Sequence, residues 1–173
     1  MDIWTEFMHF LNQYSTDPLT YSLIFFIYAV SAAIILPIPV EIGLILNPGT
    51  HFVLKALILG AGKAVGSILV FFIGSKVEWR VRNWSQKWGW FRWFVEKSEL
   101  LVEKLKYLGL YILLSIPGMV DTIPVYIFSV FNREGEVLEL RYFVLANFLG
   151  GITRALLLYA LFYGFGINLF GHL

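Results

Sequence analysis

At 173 residues, 58% of them hydrophobic and 14% charged, with a formal net charge of +1, the chain has too little polar surface to cover a soluble globule. It has no cysteine, which excludes a disulfide framework and a thiolate site. Four apolar blocks, 18–46, 52–75, 107–131 and 142–168, approach or exceed the roughly 20 residues that a spanning helix needs. The expected class is an all-α membrane protein, with residues 1–173 forming a single integral domain in the cell membrane.

In chain order, Ile3, Phe7, Leu11 and Tyr14 fall at helical spacing and predict a short amphipathic surface helix over 1–16. This leading segment has acids but no Lys or Arg, unlike a cleavable signal peptide, so the first apolar block is expected to be retained. Asp17-Pro18 reads as an N-cap followed by a first-turn proline. The helix should run to about Leu36, where Pro37 and Pro39 remove backbone donors.

Residues 40–46 would rise only about 10 Å as a helix before the Asn47-Pro48-Gly49 turn, too little to cross. Either 18–36 spans and 37–51 is an outer loop, or the block enters and returns as a hairpin with Glu41 near its tip. The block 52–75 then reads as a spanning helix with Lys63 at its middle.

Residues 76–106 are rich in Lys and Arg, which makes them cytoplasmic by the positive-inside rule. Trp79, Trp84, Trp88, Phe91 and Val95 recur among those cations at roughly helical spacing, predicting an amphipathic Trp-rich linker. Its apolar flanks tether it to the bilayer, so anionic lipid headgroups, and not nucleic acid, are the expected partner.

The arms 107–116 and 122–131 flank Pro117-Gly118 and each reach about 15 Å, half a membrane. Residues 132–141 form a mixed-charge connector, and 142–168 is a second spanning block containing Arg154.

Two halves of this order repeat. Pro37-Ile38-Pro39-Val40-Glu41 aligns with Pro117-Gly118-Met119-Val120-Asp121, and Phe52 to Ser75 aligns without gaps on Phe143 to Gly166. Glu41 then matches Asp121, and Lys63 matches Arg154. A hairpin plus one crossing gives each half an odd number of crossings, so the second repeat (107–168) is inverted relative to the first (18–75). A midplane cation costs about 2.5–3.5 kcal/mol, so Lys63 and Arg154 should face a cavity or the acids Glu41 and Asp121.

Gly62, Gly66, Gly150 and Gly151 are expected to let helices pack closely. Ser67, Ser115, Thr122 and Thr153 could offer hydroxyls to a substrate, although such groups usually bond their own backbone. His9, His51 and His172 show no metal-ligand spacing. With no histidine base inside the membrane blocks, no enzyme activity, metal or cofactor is expected.

These motifs resemble the DedA family, also called the VTT-domain or SNARE-associated Golgi protein family. Pro37 to Glu41 is similar to that family's Pro-x-Pro-Gly-Glu re-entrant motif, with Val40 at the glycine position. Gly62, Gly66, Ser67, Phe71 and Gly74 resemble its following helix, with Ser67 in place of an acid or amide and Phe71 in place of tyrosine. Ser75 stands where the basic residue after the last glycine would be. Leu114 to Asp121 resembles the second re-entrant motif without the arginines that flank Ile-Pro-Gly there. Leu149-Gly150-Gly151 with Gly164 and Gly166 is similar to the final helix.

The resemblance, over roughly residues 30–166, implies flipping or scrambling of phospholipids or polyprenyl-phosphate carriers, proton-dependent in bacterial members. Glu41 and Asp121 are then expected to serve coupling, with Lys63 and Arg154 as counter-ions or headgroup binders in place of the absent arginines. Membrane lipids are the expected partners, with coupling to protons or another cation, and the coupling ion and self-association left open. A small-solute exporter and a non-transporting scaffold with structural ion pairs are the alternatives.

Overall fold

Asp17 starts the first helix, its Oδ2 accepting from the Thr20 backbone N–H at 3.0 Å and from the Thr20 hydroxyl at 2.7 Å. Pro18 follows at the first helical position, where its missing N–H costs nothing. The computed structural model describes residues 17–35, 40–45, 47, 49–85, 89–132 and 137–165. Among them the order is α1 (Pro18–Ile34), α2 (Glu41–Ile45), α3 (Phe52–Ser85), α4 (Gly89–Ser115), α5 (Thr122–Val130) and α6 (Leu140–Gly164), with no strand. The expected surface helix 1–16 and the breaks at Pro37 and Pro39 lie outside the described residues.

The 17 residues of α1 rise about 26 Å, short of the ~30 Å hydrocarbon core. The helix stops at Ile34 rather than near Leu36, where the restriction that a proline places on the preceding residue already disfavours helix. One face of α1, carrying Tyr21, Phe25, Tyr28, Ala29 and Ala32, is buried, while Leu19, Leu23 and Ile27 are exposed on the other.

The 34 residues of α3 rise about 51 Å, well beyond the expected end at Ser75. No Gly or Pro falls between Lys76 and Ser85, so nothing in the sequence stops the helix there. The Trp-rich linker is therefore not one separate helix. Trp79 belongs to α3, while Trp90 and Trp93 belong to α4.

Helix α4 is itself broken at Lys106, whose φ of 45° and ψ of −139° lie outside helical space. The portion before Lys106 is not confined to a surface, because Val95, Ser98 and Val102 are buried against the rest of the chain. Helix α4 ends at Ser115 and α5 begins at Thr122, with Pro117-Gly118 between them and Gly118 at a φ of +75°.

Among the described residues, two helices are long and apolar enough to cross a membrane: Phe52–Val77 within α3, and α6. They run antiparallel, since the Phe52 ring meets Tyr159 at 4.7 Å and the Phe71 ring meets Phe143 at 5.2 Å. Where they cross, a Cβ on Gly151 would lie 3.0 Å from the Gly60 Cα, so any side chain there would press the two helices apart. Helix α1 packs on α3 in the same way. A Cβ at Gly62 would lie 2.5 Å from the Ala29 Cβ, and one at Gly66 2.7 Å from the Ala33 Cβ.

Apolar side chains form two clusters, one joining α1, α2 and the start of α3 to the end of α6, the other joining α3, α4, α5 and the start of α6. Lys63 and Arg154 fall between the clusters on α3 and α6.

Candidate functional site

The site begins with a broken helix. An unbroken α4 would join the Leu114 carbonyl to the N–H of residue 118, but Pro117 and the left-handed Gly118 end the helix first. Both freed groups find ionic partners. The Leu114 carbonyl accepts from Arg154 Nε at 2.9 Å and from Lys63 Nζ at 3.4 Å. The Gly118 N–H donates to Glu41 Oε1 at 2.9 Å.

Asp121 occupies the position before α5 where aspartate ordinarily caps the first turn, yet its carboxylate makes no cap bond. Its Oδ1 instead lies 3.0 Å from Lys63 Nζ and 2.8 Å from Arg154 Nη2. Glu41, the first residue of α2, has Oε1 3.6 Å from Arg154 Nη1. The structure thus brings Glu41, Lys63 and Arg154 from three helices together with Asp121 from the turn before α5, two basic and two acidic side chains.

The two acids differ. Side-chain exposure is 3% for Asp121 but 15% for Glu41, against 0% and 1% for Lys63 and Arg154. Asp121 touches both cations, whereas Glu41 Oε2 is buried without a hydrogen-bond partner. A buried carboxylate oxygen left unsatisfied is costly, so this is the least balanced point of the cluster.

The expected packing glycines are all at close approaches: Gly62 and Gly66 against α1, Gly151 against Gly60, and Gly150 against Leu114, whose Cβ would lie 2.8 Å from a Cβ there. The hydroxyl candidates are engaged with the protein. Ser67 donates to the Ala64 carbonyl and Ser115 to the Tyr111 carbonyl, both at 2.7 Å, while Thr122 reaches the Ala32 carbonyl at 3.2 Å. Thr153 lies 2.9 Å from the Tyr111 hydroxyl. Pro117 and Gly118 form the second break as described, and Pro37 and Pro39 are not among the described residues.

Lys55 was not singled out by sequence reasoning. It is fully buried, donating from Nζ to the Leu44 carbonyl at 3.1 Å beside the Tyr21 ring. The Tyr21 hydroxyl donates to the neighbouring Gly43 carbonyl, so both side chains serve the C-terminal end of α2. The signal was present: Lys55, Leu59 and Lys63 are two turns of one helical face. Asn147 was also passed over, and is buried two turns before Arg154 with Oδ1 lacking a hydrogen-bond partner.

Among the described residues no three His, Cys, Asp or Glu side chains are grouped as a metal site would require. No family model, curated protein or solved structure matches the chain.

Proposed function

We propose that the protein is a multi-pass membrane transporter that moves an anionic amphiphile, a phospholipid or polyprenyl-phosphate-type lipid, between leaflets. The observation that carries this reading is the buried four-ion cluster assembled on a helix break. Burying ions costs several kcal/mol each, and backbone unwound at such depth is tolerated where protein or a cavity satisfies it. Transporters use broken helices of this kind to hold charged substrate groups near the midplane.

In this reading Arg154 and Lys63 receive the headgroup, taking the place of the arginines that the DedA-like motif lacks. Glu41 is the acid that exchanges a proton, because it is the more exposed and has one oxygen unsatisfied. Asp121, in contact with both cations, is the counter-charge that lets them remain buried. Protonating Glu41 would leave the cluster with one net positive charge, so proton uptake and anion capture favour one another.

Support for an inverted repeat comes from the helix crossing. Gly60 and Gly151 are equivalent in the alignment and touch each other, as residues on a two-fold axis must, and α3 and α6 run antiparallel. The basic segment between the repeats supports a cytoplasmic location for that end of the molecule.

A non-transporting scaffold is the second reading, favoured by the full pairing of Asp121. Reconstitution into vesicles with a fluorescent anionic lipid separates the two. Transfer above protein-free vesicles, accelerated by an imposed pH gradient and losing that acceleration in Glu41→Gln, is expected. Lipid and proton fluxes equal to those of empty vesicles would rule transport out.

A further inference from the structure

A groove of about 370 Å3, within the ~300–1,000 Å3 range of small-molecule sites, runs between α4 and the hairpin formed by the end of α4 with α5. Trp93, Lys97 and Leu101 line it from successive turns of α4, and Met119, Ile123 and Ile127 face them. Lys97 and Ser98 are the polar residues along it, and Ser98 is buried. Lys97 is exposed and has no ion-pair partner among the described residues, whereas nearby Arg92 is held by Glu96 at 2.9 Å.

We propose that this groove is a binding site for one acyl chain of an anionic membrane lipid, whose headgroup rests on Lys97. The proposal builds on the lipid-transport reading. An apolar trough cannot satisfy the N–H and C=O groups of a peptide, which would be desolvated at a cost, but an acyl chain has no such groups. A free cation at its edge complements one negative headgroup, and Trp93 supplies an aromatic of the kind found at headgroup depth.

The groove is also tied to the ion cluster. Met119 directly follows Gly118, whose N–H is held by Glu41, so a chain lying in the groove touches the turn on which the four ions depend. A lipid held there would wait beside the transport site with its tail already out of the bilayer.

The test uses the full chain in phosphatidylcholine vesicles with a trace of phosphatidylglycerol carrying a photoactivatable acyl chain, and maps cross-links by mass spectrometry. Cross-links should fall on the segments containing Trp93 to Leu101 and Met119 to Ile127. Unlabelled phosphatidylglycerol should compete about fivefold better than phosphatidylcholine, the equivalent of about 1 kcal/mol for one interfacial lysine.

Lys97→Gln should erase that preference, and Ile123→Trp, which fills the groove from an exposed position, should reduce cross-linking of both lipids. Cross-links elsewhere, a groove joined to a second copy of the chain, or labelling that neither substitution changes would overturn the proposal. Binding is read without transport. A protein that moves lipid with an unlabelled groove sinks the groove alone, and a labelled groove without flux sinks only transport.

Discussion

Glu41 and Asp121 carry the same charge in unlike settings, and their substitution should differ accordingly. Asp121→Asn removes the acid that touches both buried cations and leaves Lys63 without an ion pair, and the loss expected on breaking such a pair is about 3–5 kcal/mol, read as a lowered unfolding midpoint in detergent. Glu41→Gln removes one looser 3.6 Å contact and should cost roughly 1 kcal/mol or less, while abolishing pH-gradient dependence of transport. The meeting of these four side chains could be read from the sequence because each acid sits beside a proline and each cation midway along an apolar block. Which acid serves which cation could not. The alignment sets depth, but the choice of partners follows from how α3 and α6 cross and from where the second hairpin docks.

Lys55 escaped for a related reason. Three residues into its helix it looks like a flanking cation, and only the position of α2, whose carbonyl it meets, buries it. At the surface, Asp17 offers a pH-dependent check. Hydrogen bonds from Thr20 hold its carboxyl below the usual aspartate range, so its contribution is complete above the unfolded-state pKa and is lost as pH falls through the lowered folded value. The stability gap between the wild type and Asp17→Ala should therefore be present at neutral pH and close on acidification.

At the scale of elements, the break at Pro117-Gly118 does two jobs, ending α4 and supplying a carbonyl and an N–H to the ions. Gly118→Ala should destabilise by about 1–2 kcal/mol because its φ of +75° is unfavourable for any side chain, and should weaken transport in proportion as the turn shifts. The break was legible from the proline and glycine. The continuation of α3 through Lys76 to Ser85 was not, because the charge boundary at Lys76 suggests the end of a span, while backbone hydrogen bonding continues regardless of polarity. The break at Lys106 falls where the sequence divides the linker 76–106 from the arm 107–116, although no glycine or proline marks it. Gly151→Leu at the helix crossing should cost about 1–3 kcal/mol by overpacking, or prevent assembly, as measured by folding yield and thermal unfolding.

At the scale of the whole molecule, the antiparallel α3 and α6 put the residues just before each helix at opposite ends of the pair. Cysteines placed at the exposed positions His51 and Glu139 should therefore react with a membrane-impermeant thiol reagent from opposite faces of a sealed vesicle. Labelling of both from one face would refute the inverted arrangement. The register of glycines and charges on which the proposed repeat rests was legible, whereas the two apolar clusters on either side of the ions depend on tertiary crossings that a linear pattern does not encode.

The central claim is that the four-ion cluster acts in transport rather than only holding the helices together, and the exchange of one pair separates these roles. Lys63→Asp with Asp121→Lys preserves the pair's charge while moving the cation from α3 to the start of α5. Vesicles containing the exchanged protein, with its unfolding midpoint near the wild type, should show pH-gradient-driven lipid transfer no faster than empty vesicles. Transfer at the wild-type rate by that protein would contradict the account.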